Sequence, residues 1–279
     1  MLFLVGPSAC DRFLAEDKVF PGGGALNMSY HWQQLDLTFT LLTRFGSDET
    51  SLFQTYFKQN EIRYLPKSAV KTGPSAGIDV MIQDDRQPWM DNYDEGVTAD
   101  FSLDDHERTL LKKADWAHFI LVEGLITELE AMGKSGELEN VQISADFFDF
   151  RHFTIERFCQ LMRWVDIAFV GWPKEEDHPT VAAIRECAHD QEKLIVLTMG
   201  SRGVQVFDGR KGSATFDNFF EVQAKEVFGT TVGCGDAFAA YFLAEWQQSQ
   251  DLNKAIAHAN LGGGLATEWF HALPDNAYR

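Results

Sequence analysis

The chain has 279 residues, enough to bury a substantial core, and 24 basic against 42 acidic side chains give a formal net charge of −18. Such a field repels phosphate backbones and anionic lipid, which argues against nucleic acid and membrane as partners. Hydrophobic residues at 45% and 23 phenylalanines describe a folded globular protein and exclude a disordered one.

In chain order, residues 2–5 read as a buried strand, and a glycine cluster at 22–24 leads into a helical pattern over 25–35. A strand at 38–43 and a helix at 51–59 follow. Residues 75–93 break the rhythm: Ala76, Ile78, Val80 and Ile82 alternate, a polar turn at 83–86 intervenes, and Trp89 and Tyr93 complete a hairpin. This hairpin is either a flap over a ligand cleft or an ordinary edge hairpin. Beyond it come a helix at 103–112, strands at 116–122 and 141–147, and a helix with Ile155, Phe158, Cys159 and Met162 on one face, capped by Thr154. Strands at 166–170 and 194–199 flank a helix at 178–189, and helices at 236–247 and 252–270 end the pattern. Continuous apolar strands alternating with helices indicate an α/β fold: a mainly parallel sheet covered on both faces. No linker divides the chain, so one α/β domain over 1–279 is expected, with a β lid inserted at about 75–93.

Four cysteines, Cys10, Cys159, Cys187 and Cys234, lie far apart, which fits neither a zinc clip nor a disulfide framework and suits a reducing cytoplasm. The opening run 1–6 lacks a basic region and is too short for a signal peptide, while the best membrane candidate, 118–126, is interrupted by Glu123. A cytoplasmic location is expected. The histidines, His31 and His118 among them, show no metal-binding spacing, and no Gly-x-Ser-x-Gly elbow is present.

The chemistry-bearing segment is Gly229-Thr230-Thr231-Val232-Gly233-Cys234-Gly235-Asp236, which runs straight into an apolar helix. Glycines there permit a sharp turn, and the free N–H groups of the first helical turn make an anion site reinforced by the helix dipole. Asp236 at that terminus is either a helix cap or a carboxylate kept to accept a proton. Pro21-Gly22-Gly23-Gly24-Ala25-Leu26-Asn27 lets a ligand touch backbone, and it matches neither the dinucleotide fingerprint nor the phosphate loop. Thr198-Met199-Gly200-Ser201-Arg202-Gly203 stands at a strand end, where α/β proteins bind ligands.

Taken together, residues 22–29 with Gly46 and Asp48, the 198–203 turn, and Gly233-Cys234-Gly235-Asp236 resemble the ribokinase-like carbohydrate kinases of the phosphofructokinase B type. The resemblance spans residue 2 to about residue 271. It implies a three-layer α/β/α sandwich with a β lid and an ATP-dependent phosphotransferase acting, with Mg2+, on a sugar-like hydroxyl. By position, Asp236 would be the general base and Gly233, Cys234 and Gly235 the anion hole. Asp11, at the end of the first strand, with Gly23, Gly24 and Asn27 would grip the acceptor. Thr198, Gly200 and Gly203 would line the nucleotide, with Asn260 near the adenine. Asp146, Glu175 or Glu176 would stand near the metal, Glu175 being the metal candidate carried forward, and Arg202 or Lys174 would compensate phosphate charge. A helix N-terminus is expected to lower the pKa of Asp236.

Three departures from the family pattern bear on function. Thr230 stands where an acidic residue associated with monovalent-cation activation is usual, so a weak potassium effect is expected. Of the family's Asn-x-x-Glu motif only the glutamates of 170–176 remain. Cys234 replaces the common alanine and leaves the backbone N–H in place. Arg86 is the only basic residue between Thr72 and Phe101, and Asp84, Asp85, Asp91, Asp94 and Glu95 surround it. This acidity is either a solvated face or a surface that disfavours phosphorylated sugars. The run Tyr93-Asp94-Glu95-Gly96-Val97-Thr98-Ala99-Asp100-Phe101 is similar to that of fructosamine kinases, which phosphorylate sugar–amine adducts. Glu123 is another acceptor candidate, and the lid offers a homodimer surface. The alternatives are a nucleoside kinase, with Trp89 and Tyr93 stacking on the base, and a sugar- or nucleotide-binding protein that has lost turnover.

Overall fold

A computed structural model describes residues 1–150, 153–222 and 227–279. The chain begins with β1 (Leu2–Val5), then β2 (Ala9–Phe13), β3 (Lys18–Gly22), α1 (Gly24–Gln34), β4 (Phe39–Leu42), β5 (Phe45–Gly46) and α2 (Thr50–Gln59). A short α3 (Pro66–Ala69), β6 (Val70–Lys71), β7 (Ala76–Ile82), β8 (Pro88–Asp94) and α4 (Asp105–Leu111) follow. β9 (Trp116–Ile120), α5 (Glu123–Lys134), β10 (Gln142–Asp146), α6 (Ile155–Leu161), β11 (Ile167–Gly171) and α7 (Pro179–Asp190) continue the alternation. The described chain ends with β12 (Leu194–Thr198), β13 (Val204–Asp208), β14 (Asp217–Phe220), α8 (Cys234–Ser249) and α9 (Leu252–Ala266).

Eight strands form the central sheet in the order β14-β13-β12-β11-β10-β9-β1-β4. β12 through β4 run parallel, and β13 and β14 add an antiparallel edge. Successive side chains point to opposite faces, so each parallel strand feeds two cores. Leu4, Ile167 and Val196 pack with α1, α2, α8 and α9, whereas Val5, Phe119, Ala168 and Leu197 pack with α4 to α7. The result is three layers, α/β/α, and the continuous rather than alternating apolar strands follow from burial on both faces.

The hairpin at 75–93 is half of a larger unit. β7 and β8 pair antiparallel, but β7 also pairs in parallel with β2, and β3 closes a four-stranded second sheet in the order β3-β2-β7-β8. β2 and β3 carry too few alternating apolar residues to stand out locally; tertiary pairing makes them strands. Asp11 therefore lies within this second sheet, not at the end of the first strand. A second correction concerns Glu123, which opens α5 instead of ending a strand, because β9 stops at Ile120. The apolar run through 118–126 fused the strand with the buried face of the helix, formed by Leu125, Ile126, Leu129 and Met132. α9 ends at Ala266, earlier than the expected 270.

The lid is joined to the body at Asp48, whose carboxylate accepts from the Ser75 amide at 2.9 Å and from the Ser75 hydroxyl at 2.8 Å. Beneath it, Arg44 and Glu107 form a fully buried two-pronged pair, 1% and 0% exposed, with Ser68 also donating to Glu107. Among the described residues no helix is long and apolar enough to cross a membrane.

Candidate active site

Gly233 caps α8 at a φ of 75°, and a Cβ there would stand 2.7 Å from the Ala272 carbonyl oxygen, so only glycine fits the turn. The turn leaves α8 facing the cleft with its amides forward. The Cys234 amide, expected in the anion hole, instead donates to the Thr231 carbonyl at 3.3 Å. Among the described residues the amides of Gly233, Gly235 and Asp236 have no protein acceptor, and they are the donors an anion would meet.

Asp236 projects from this first turn toward the start of α1. Asn27 Nδ2 donates to its Oδ2 at 2.8 Å, and a Cβ on Gly24 would lie 3.1 Å from its Oδ1. The expected lowering of its pKa is overturned: burial pushes the carboxyl up to about 6, with the Asn27 hydrogen bond only partly opposing it. Desolvation of the charge outweighs the dipole and the single donor. Asp11, 7% exposed, lies across the cleft against Gly22, where a Cβ would meet its Oδ2 at 2.1 Å. Burial and then the charge of Asp236 raise Asp11 to about 7. Asp146, at the C-terminal end of β10, is likewise raised to about 7 by burial and by Asp236, although the Phe148 amide donates to it.

The structure thus brings Asp11, Gly24, Asn27 and Asp236 together, and Asp146 is near enough to feel the Asp236 charge. Gly23, the cap of α1 at a φ of 88°, accepts from the Asn27 amide at 3.0 Å and so sets the first turn that aims Asn27. Thr198, Gly200 and Gly203 share the turn between β12 and β13, and the α-carbon of Gly200 faces open space. Asn260 lies one turn before Gly263, where α9 crosses the start of α8 close to the Cys234 carbonyl.

Other candidates are placed differently. Arg202 donates to the Trp172 and Lys174 carbonyls at 2.7 Å each, so its guanidinium is committed to holding that loop. Glu175 is exposed there, and Trp172 Nε1 donates to its carbonyl. Glu123 forms a two-pronged pair with Arg157. Two lid carboxylates are occupied locally, Asp85 by the Gln87 amide and Asp94 by the Gly96 amide. Trp89 pairs with Met81 on the face opposite Val80 and Asp11, pointing away from the cleft. His31 and His118 are buried, and burial lowers them to about 4 and about 3.

Besides burial, the Asp236 charge raises both Asp11 and Asp146, and Arg12 only partly offsets this at Asp11, so the site suits a ligand that brings positive charge. Among the described residues no three His, Cys, Asp or Glu side chains cluster as a complete metal cage. Mg2+ takes one or two carboxylates and completes its shell with water and phosphate oxygens, so a single buried carboxylate such as Asp146 is compatible with it.

Residues 14–272 match the pfkB family of carbohydrate kinases. The chain is 27% identical over 264 residues to fructoselysine 6-kinase of Escherichia coli (strain K12), covering 92% of this chain and 93% of that protein. Among solved structures it resembles adenosine kinase from Schistosoma mansoni in complex with 2-fluoroadenosine, with a TM-score of 0.78 at 16% identity over 99% of this chain and 98% of the other. It also resembles ribokinase from Thermotoga maritima, with a TM-score of 0.73 at 14% identity over 100% and 97%.

Proposed function

The chain belongs to the pfkB family of carbohydrate kinases and transfers the γ-phosphoryl group of ATP to a sugar hydroxyl; we propose that its acceptor is a sugar–amine adduct of the fructoselysine class and that Asp236 is the base. The observation that carries the chemical reading is the placement of Asp236 on the anion-binding turn of α8, hydrogen-bonded to Asn27 and across the cleft from Asp11. The full-length similarity to fructoselysine 6-kinase supports the acceptor class. So does the 75–93 hairpin, in which Arg86 is the single basic residue, since phosphorylated sugars call for clustered arginine or lysine.

Asp11 and Asn27 orient the acceptor through hydrogen bonds to its hydroxyls, with Gly23 and Gly24 allowing close approach of backbone. Asp236 holds the reacting hydroxyl and takes its proton as the new P–O bond forms; in a loose transition state the alcohol becomes acidic only then, so a weak base suffices. The forward amides of Gly233, Gly235 and Asp236 stabilise charge on the transferring group. Thr198, Gly200, Gly203 and Asn260 line the nucleotide. Asp146, buried and within reach of the Asp236 charge, would hold magnesium in preference to the exposed Glu175, and the ion would neutralise phosphate charge. The outer lid face, with Val19, Met81 and Trp89 at 41–44% exposure, is the surface proposed for a homodimer, and the location proposed is cytoplasmic.

ATP consumption across ribose, fructose, fructoselysine and nucleosides tests the acceptor class. Fructoselysine is expected to give the highest kcat/KM; a nucleoside or free sugar exceeding it overturns the assignment.

A further inference from the structure

The tip of the β7–β8 hairpin touches the loop that carries the anion-binding turn. Thr231 Oγ1 donates to Gln87 Oε1 at 2.8 Å, and the Thr231 amide donates to the Arg86 carbonyl at 3.3 Å. The contact joins residues 144 positions apart. The tip is built for it: Gln83 and Gln87 close the hairpin at 2.9 Å, Asp85 accepts from the Gln87 amide at 3.0 Å, and Arg86 takes a φ of 68°. A non-glycine residue in that region is strained, and here the strained residue is the one whose carbonyl receives Thr231.

On the other side, Thr231 is two residues before Gly233, and its own carbonyl accepts the Cys234 amide. Its hydrogen bonds therefore help set where α8 begins. The neighbouring Thr230 is laced to the segment after α9: its amide donates to the Trp269 carbonyl at 2.8 Å and its hydroxyl to the Phe270 carbonyl at 3.1 Å. That segment is gripped by the lid as well, through Phe13 on Phe270 and Glu16 on His271 at 2.9 Å. The anion-binding loop thus hangs between two straps, Thr230 on the segment after α9 and Thr231 on the hairpin tip.

We propose that Gln87 and Thr231 form a catch through which lid closure over the acceptor sets the amides that receive the phosphoryl group, making both positioning residues. The proposal rests on the reading of 233–236 as the phosphoryl-receiving turn. By reciprocity, a nucleotide that favours the set loop must also favour the closed lid, by the same factor.

Arg86 itself supplies the probe, because it is the only trypsin site between residues 72 and 101 and is exposed at the tip. With Mg2+ and a non-hydrolysable ATP analogue, cleavage after Arg86 in the wild type is expected to slow about tenfold, an ordinary size for coupling between sites. Thr231→Val, which leaves the cleavage site untouched, should reduce that protection to less than about twofold, while Thr231→Ser restores it. Gln87→Ala should behave as Thr231→Val, and the double variant no worse than either, since both remove one interaction. A merely structural role would change thermal stability but not the nucleotide-dependent ratio. Wild type without protection, or Thr231→Val protected as fully as wild type, overturns the catch. Protection without acceptor-dependent turnover on the panel above leaves the catch standing and overturns the acceptor reading instead.

Discussion

Replacing Asp236 by asparagine separates the two things this residue is proposed to do. The side chain keeps its shape and can still accept from Asn27 Nδ2, so the start of α1 and the start of α8 remain joined. Proton acceptance is lost, and a positioned general base contributes typically about 10²–10⁴-fold, so kcat should fall by that much with nucleotide affinity nearly unchanged. Stability should move the other way. A carboxyl raised from 3.8 to about 6 binds protons more tightly folded than unfolded, so its charge destabilises the fold above pH 6, and stability rises as pH falls through that window toward 4. Full desolvation would put the cost at roughly 3 kcal/mol, from about 1.4 kcal/mol per pKa unit. Asp236 opens onto the cleft, and screening brings this nearer about 1–2 kcal/mol. The substitution also relieves Asp11 and Asp146, both raised in part by the Asp236 charge. At pH 7.5 the variant should melt about 2–5 °C above wild type by scanning calorimetry, with the difference shrinking as pH approaches 4. In the wild type, kcat/KM for the acceptor should fall as pH drops through the 6–7 range in which burial places the carboxyls of Asp11, Asp146 and Asp236. Turnover within tenfold of wild type, or a lower melting temperature at neutral pH, would refute the reasoning.

Gly22→Ala drives a methyl group into the Asp11 carboxylate, so acceptor KM should rise at least about tenfold while nucleotide affinity is retained; steady-state kinetics in both substrates distinguish these. Arg44→Ala strands the buried Glu107 carboxylate under the lid attachment and should cost about 3–5 kcal/mol by urea denaturation, whereas a loss below about 1 kcal/mol would mean that water reaches the pair. Thr230 fills its position with a neutral hydroxyl that donates to the Phe270 carbonyl and accepts from the Val232 amide, so exchanging potassium for a bulky organic cation at fixed ionic strength should alter the rate less than about twofold. A large potassium activation would contradict that assignment.

Much of this was legible in the chain alone, for local reasons. Strands buried on both faces must be apolar throughout, so β1, β9, β10, β11 and β12 were recognisable within a residue or two at most ends, and their alternation with amphipathic helices fixed the layered class. The glycines of 22–24 and of 233–235, with Asp236 behind them, mark turns that other residues cannot make, which is why motif reading reached the centre of the site. Other features depend on segments meeting in space. β2 and β3 become strands only because β7 pairs with β2, and that pairing carries Asp11 from the first strand's end into the lid sheet. Arg202 looked like a free cation until the Trp172 and Lys174 carbonyls claimed it, and the Cys234 amide looked free until the loop folded back on it. The pKa of Asp236 reverses direction for the same reason: a helix terminus is a local property, but desolvation is imposed by everything packed around it. The contact of Gln87 with Thr231, across 144 residues, left no trace in either local sequence.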